Sequence, residues 1–127
     1  MGRVIVVIED DTDILGIMQD ALEADGYGVI PISHPGELVT LEQDIAPDLF
    51  LIDVMLPQRS GIEVAYELRR TAFGASPMIA MSASRLLAGA ASQAGVFDDV
   101  MDKPITLAHL LECVQIYAGD PTQAGVS

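Results

Sequence analysis

The sequence predicts an α/β protein in which five parallel strands alternate with five helices and wind into a doubly wound three-layer sandwich. Three observations carry this. Five short apolar runs, Val4–Ile8, Tyr27–Ile30, Leu49–Ile52, Met78–Met81 and Phe97–Met101, are separated by segments of helical period. The first, third and fourth runs are apolar throughout, as expected of strands covered by helices on both faces. The chain has 127 residues, half of them apolar, which suits a single domain with a real core.

The elements follow in order. After the first strand, Ile14, Leu15, Met18 and Leu22 share a helical face, with Thr12 or Asp13 as the expected N-cap and Gly26 as the stop. Pro35–Leu41 is a weaker helix opening after the His34-Pro35 turn. Val64, Ala65 and Leu68 mark a third helix beginning after Gly61. Arg85–Ala94 is a fourth, ended by Gly95, and its Ala, Gly and Ser content specifies it least. Leu107, Leu110, Leu111 and Val114 give a fifth, starting near Thr106. The segment from Gly119 to Ser127 has the composition of a flexible tail or the start of a linker.

Composition excludes several classes. With 19 acidic against 6 basic residues, the net charge is −13. Such a surface repels phosphate backbones, which argues against direct nucleic-acid binding and favours basic partner surfaces. No run approaches the roughly 18 apolar residues of a membrane span. Met1-Gly2-Arg3 leads straight into the first strand without a signal-peptide pattern. The single cysteine, Cys113, cannot form an internal disulfide, so the expected compartment is the reducing cytoplasm.

The chemistry lies at the strand ends. Ligands of doubly wound sheets bind outside the C-terminal ends of the strands. The first strand ends in Glu9-Asp10-Asp11, the third in Asp53, the fourth in Ser82, and the fifth is followed by Lys103, the only lysine. Carboxylates crowded together repel unless a cation neutralises them. The donors are all oxygens, so Mg²⁺ fits better than zinc. An acidic Mg²⁺ pocket with one lysine and one hydroxyl suits phosphoryl transfer, with Asp53 as nucleophile and Lys103 and Ser82 neutralising phosphoryl oxygens.

Four motifs carry a resemblance: VIVVIEDD (Val4–Asp11), PDLFLIDVMLPQRSG (Pro47–Gly61), PMIAMSA (Pro77–Ala83) and DDVMDKPI (Asp98–Ile105). Together, over roughly residues 3 to 118, the chain resembles the receiver domain of two-component response regulators, of the chemotaxis-regulator type. The resemblance implies a flavodoxin-like sheet of order 2-1-3-4-5, a receiver domain over 1–118 and a tail over 119–127. It implies that Asp53 is phosphorylated and that Asp10 contacts the metal directly. Glu9 would act through water, and Met55 would lend its backbone carbonyl. Pro57 and Gly61 match the loop after the acceptor. Ser82 matches the switch hydroxyl and Lys103 the family lysine, with a cis Lys103–Pro104 bond. Val100 stands where the family often has Tyr or Phe, so the usual aromatic flip has no counterpart here.

The implied function is a phosphorylation-activated switch and not an enzyme in the ordinary sense. It would take its phosphoryl group from a histidine kinase or a histidine phosphotransfer protein. It would change the surface of the fourth helix, fifth strand and fifth helix to control a downstream protein or a C-terminal output domain. No DNA-binding or catalytic output domain fits in this length, so either a stand-alone receiver or the N-terminal piece of a longer regulator is expected. Two rival readings share these residues: a Mg²⁺-dependent phosphohydrolase working through an aspartyl phosphate, and a degenerate receiver that only binds partners. Met55 stands where the haloacid dehalogenase type of phosphohydrolase wants a second acid, and the presence of Asp10, Asp53, Ser82 and Lys103 together opposes the second. Blander readings apply elsewhere: Asp11 and Asp13 as first-turn helix acids, His34 and His109 as surface residues, Cys113 as a small core residue.

Overall fold

The structure, a computed structural model, describes residues 2–41 and 45–121. Strands β1 (Val4–Ile8), β2 (Gly28–Ile32), β3 (Leu49–Asp53), β4 (Met78–Ser82) and β5 (Asp99–Asp102) form one sheet of order β2-β1-β3-β4-β5. Every pairing is parallel. Helices α1 (Thr12–Ala24), α2 (Gly61–Arg69), α3 (Arg85–Ala94) and α4 (Leu107–Ala118) cover it, so α3 and α4 are the fourth and fifth helices of the sequence pattern.

The period-two alternation of the strands divides the core. Ile5, Val7, Leu49, Leu51, Ile79 and Met81 face α1 and α4, where Leu15, Met18, Leu22, Leu110, Cys113 and Val114 meet them. Val6, Ile8, Phe50, Ile52 and Met78 face the other way, against Val64, Ala65, Leu68 and Phe73. Under α3 the packing is thin: Val54, Ala80 and Ala91 form a small separate cluster, with Leu87, Phe97 and Val100 at its edge. Ala91 is the one buried residue of α3.

Four details differ from the sequence pattern. The cap of α1 is Asp11, not Thr12 or Asp13; its carboxylate accepts from the Asp13 and Ile14 amides at 3.0 and 3.2 Å. Gly26 stops the helix as expected, at φ 103°. The Pro35–Leu41 helix is a 3₁₀ helix over Pro35–Thr40 that buries none of its residues. Gly36, Val39 and Thr40 are poor α-helix formers, and the Glu37 carboxylate folds back onto the Ser33 and His34 amides. Strand β2 starts one residue later than Tyr27 and runs on through Pro31, which an edge strand with one neighbour tolerates. Strand β5 begins at Asp99, and Phe97, two residues earlier, packs partly buried against both the α2-side core and the α3 cluster.

The Lys103–Pro104 bond is cis, as the resemblance implied. Of the expected tail, Gly119 is held: its carbonyl accepts from the Tyr27 hydroxyl at 2.8 Å. Residues 122–127 lie outside the described residues. No described helix is long and apolar enough to cross a membrane.

Candidate functional site

The three consecutive acids after β1 sit in three different environments. The Glu9 amide donates to the Ile32 carbonyl at 3.0 Å, continuing the ladder, and its side chain points inward, 1 % exposed. Asp10 is partly exposed beside it. Asp11 caps α1. The alternation of an extended segment places Glu9 and Asp10 on different sides, so only the inner one is desolvated.

Asp53 closes β3 and is buried. Its Oδ1 accepts from the Met55 amide at 3.0 Å, and its Oδ2 accepts from Lys103 Nζ at 3.0 Å. Lys103 enters from the end of β5, its amide held by the Ser82 carbonyl at 2.8 Å. The same Nζ donates to Glu9 Oε1 at 2.5 Å. One ammonium thus bridges two buried carboxylates from two different strands. That is the partner the acid at the end of the all-apolar β3 requires.

The electrostatics follow from this crowding. Burial, and then the neighbouring Asp53, push the Glu9 carboxyl up to about 7, although Lys103 pulls the other way. Burial opposes the charge on Lys103, but its hydrogen bonds to Glu9 and Asp53 outweigh it and raise its pKa. The lysine therefore stays an ammonium. Carboxylate oxygens of Glu9, Asp10 and Asp53 lie within 4.8 Å of one another, an all-oxygen set that suits a hard divalent cation.

Ser82 ends β4 next to this group and is buried. Its hydroxyl donates to the Ser84 carbonyl at 2.9 Å and accepts from the Ser84 amide at 3.1 Å. The hydroxyl is therefore engaged with the start of α3 and not with Asp53. Ser84 in turn caps α3 by accepting from the Leu87 amide. Val100 is half-buried against the α3 cluster. The Met55 side chain is 59 % exposed at the rim. His34 and His109 are exposed and outside the cluster. Cys113 is buried, and that burial, with Asp99 and Glu112 nearby, pushes its thiol up to about 11, so it is inert at neutral pH.

Sequence reasoning did not foresee the direct Glu9–Lys103 contact or the Ser82–Ser84 link. Neither leaves a spacing signal, since the partners of the first are 94 positions apart. It matched Gly61 without giving it a task. A Cβ at Gly61 would lie 2.1 Å from the Asp53 carbonyl oxygen and 2.9 Å from its carbon. The Gly61 amide donates to the Val54 carbonyl at 2.9 Å. The loop after Asp53 therefore closes directly onto the Asp53 backbone, and only glycine permits that approach.

A parallel 2-1-3-4-5 sheet with an acidic cluster and a lysine at its C-terminal edge defines a class of protein, and comparison with known proteins agrees. The family model described as "Response regulator receiver domain" matches residues 5–115. The chain belongs to that family. Its members are the phosphorylation-activated signalling switches of two-component systems. The chain is 29 % identical to the polar-differentiation response regulator DivK of Brucella anthropi, over 94 % of this chain and 99 % of that protein. It is 40 % identical over 70 residues to the alkaline phosphatase synthesis transcriptional regulatory protein PhoP of Bacillus subtilis. That match spans 55 % of this chain and only 29 % of PhoP. Among solved structures, a CheY-like receiver domain protein from Methanospirillum hungatei superposes with a TM-score of 0.82 at 24 % identity, covering 98 % of this chain and all of that one. A response regulator from Chloroflexus aurantiacus gives 0.83 at 20 % identity, covering 93 % and 98 %. At these identities the structures speak for the fold.

Proposed function

We propose that residues 1–118 form a receiver domain in which Asp53 accepts a phosphoryl group in a Mg²⁺-dependent reaction. The donor would be a histidine kinase or a histidine phosphotransfer protein, met in the cytoplasm. The observation that carries this reading is the single ammonium of Lys103 bridging Glu9 and Asp53, with Asp10 alongside. It gathers a nucleophile, a cation and metal-binding oxygens from three strand ends at one point.

Asp10, Asp53 and the Met55 carbonyl would hold the Mg²⁺, with Glu9 acting through water. The ion would neutralise charge developing on the phosphoryl oxygens. Lys103, its amide held by the Ser82 carbonyl, would neutralise another oxygen. The Met55 amide holds Asp53 Oδ1 and Lys103 holds Oδ2, which together fix the orientation of the carboxylate. The domain promotes its own phosphorylation and hydrolysis but is not a multiple-turnover enzyme.

The signal would leave through α3. Phosphorylation adds about −1.5 to −2 charges beside Ser82. The Ser82 hydroxyl then turns to the phosphoryl group and gives up both bonds to Ser84, the cap of α3. Val100 is too small to fill the space left behind. The face of α3, β5 and α4 would thereby change for a downstream protein or output domain. Intact-mass analysis after incubation with acetyl phosphate and Mg²⁺ tests the reading. A single added phosphoryl group, lost in Asp53→Asn, is expected; full uptake by Asp53→Asn would overturn it.

A further inference from the structure

A groove opens beside the acceptor, with a volume of about 720 Å³. Asp10, Met55, Pro57, Arg59, Glu63 and Leu87 are among the residues that line it. Arg59 is the one cation in this lining. Its Nη2 pairs with Glu67 on α2, which lines the adjoining groove shared by Arg59 and not this one. The Glu67 side chain is 63 % exposed and that of Arg59 31 %, so the pair is solvent-screened and cheap to exchange.

The other described cations are placed differently. Lys103 is committed to Glu9 and Asp53. Arg69 donates to the Val96, Gly74 and Ser76 carbonyls and to Asp98. Arg3 pairs with Asp48, and Arg85, exposed at the first position of α3, is not among the residues lining this groove. Arg70 is the C-cap of α2, at the opposite end of that helix from the acceptor loop. A small anionic phosphodonor approaching a chain of net charge −13 meets repulsion almost everywhere. Of the described cations, Arg59 is the one that lines this groove.

We propose that Arg59 is the binding residue for small anionic phosphodonors, exchanging Glu67 for the donor's phosphoryl or carboxylate oxygens as the donor enters the groove. This rests on Asp53 being the acceptor. With acetyl phosphate, an oxygen of the ionised Asp53 carboxylate attacks phosphorus. The bond from phosphorus to the bridging oxygen breaks, and its electron pair leaves with acetate. No proton is consumed. Arg59 acts on the association step, so it sets the half-saturating donor concentration more than the limiting rate. Glu67 competes for Arg59 and therefore opposes donor binding.

The test follows phosphorylation by acetyl phosphate against donor concentration at low and high salt. Arg59→Gln is expected to raise the half-saturating concentration about fivefold at low salt, the worth of one close charge contact near solvent. Glu67→Gln is expected to lower it. Arg70→Gln, which removes the same charge elsewhere, is expected to leave it within about twofold. The Arg59 effect shrinks at about 1 M salt, where screening acts over a few ångströms. The proposal is overturned if Arg59→Gln behaves as Arg70→Gln, if its effect is independent of salt, or if Glu67→Gln moves in the same direction as Arg59→Gln. The two levels separate cleanly: phosphorylation that proceeds normally but ignores Arg59 overturns this inference alone. A wild-type chain that takes up no phosphoryl group, or takes it elsewhere than Asp53, overturns the acceptor assignment and this inference with it.

Discussion

Replacing Lys103 with methionine tests the electrostatic logic of the site without any ligand. Lys103 Nζ lies 2.5 Å from Glu9 and 3.0 Å from Asp53, whose side chains are 1 % and 5 % exposed. Removing the ammonium leaves two buried carboxylates facing each other. Breaking a buried charge pair in this way costs about 3–5 kcal/mol, which lowers the melting temperature of a domain this size by roughly 10–20 °C. The loss has a pH signature. Glu9 already sits at about 7 in the folded chain, raised by burial and then by Asp53, against 4.5 as its ordinary value. An acid raised by folding binds its proton more tightly in the native state, so its contribution is whole below about pH 4.5 and declines as pH rises toward 7. Without Lys103, one of the forces lowering that pKa is gone, and the decline extends above pH 7. Urea denaturation in chelator, at steps from about pH 5 to pH 8, should show a deficit in Lys103→Met that widens with pH. A deficit below about 1 kcal/mol at pH 8, or one that does not vary with pH, would refute the reasoning.

Further outcomes follow from the same geometry. Asp10→Asn should abolish most of the Mg²⁺-induced rise in melting temperature, because a ligand stabilises only through its affinity for the native state; an unchanged rise would exclude Asp10 as a ligand. Gly61→Ala should cost about 2–3 kcal/mol and slow phosphorylation, since its Cβ would meet the Asp53 carbonyl at 2.1 Å. Gly89→Ala in α3, with nothing within 4 Å, should instead gain about 0.5–1 kcal/mol in chemical denaturation. Hydrogen exchange with beryllofluoride as the phosphoryl mimic should lose protection at residues 83–95, where Ser82 releases the cap; change confined to residues 57–61 would put the output on another face.

The fold was legible because its signals are local. Three all-apolar runs, helix-period segments and Gly, Ser or Thr at their ends specify four α-helices and five strands within a residue or two. The sequence does not specify the 3₁₀ geometry of Pro35–Thr40, because one turn of periodicity, Leu38 and Leu41, does not distinguish it from an α-helix. The cap at Asp11 was displaced because several consecutive residues were all capable caps, and backbone angles chose among them. The location of Asp10, Asp53, Ser82 and Lys103 at one edge of the sheet was legible because each lies at or just past the end of a strand, and parallel topology collects strand ends. What each side chain touches was not legible. The lysine's bridging of Glu9 and Asp53, the Ser82–Ser84 link and the closeness of Gly61 to Asp53 depend on long-range packing that leaves no pattern along the chain.

The central claim is that Asp53 is the phosphoacceptor. Its acyl phosphate can be reduced by borohydride to homoserine, which fixes the position in the peptide chain. Treatment with acetyl phosphate and Mg²⁺, then borohydride, then tandem mass spectrometry, should find homoserine at position 53 and nowhere else. The signal should vanish when Mg²⁺ is chelated. Homoserine at position 10 or 11, or none anywhere in a chain that has taken up phosphate, would contradict the account.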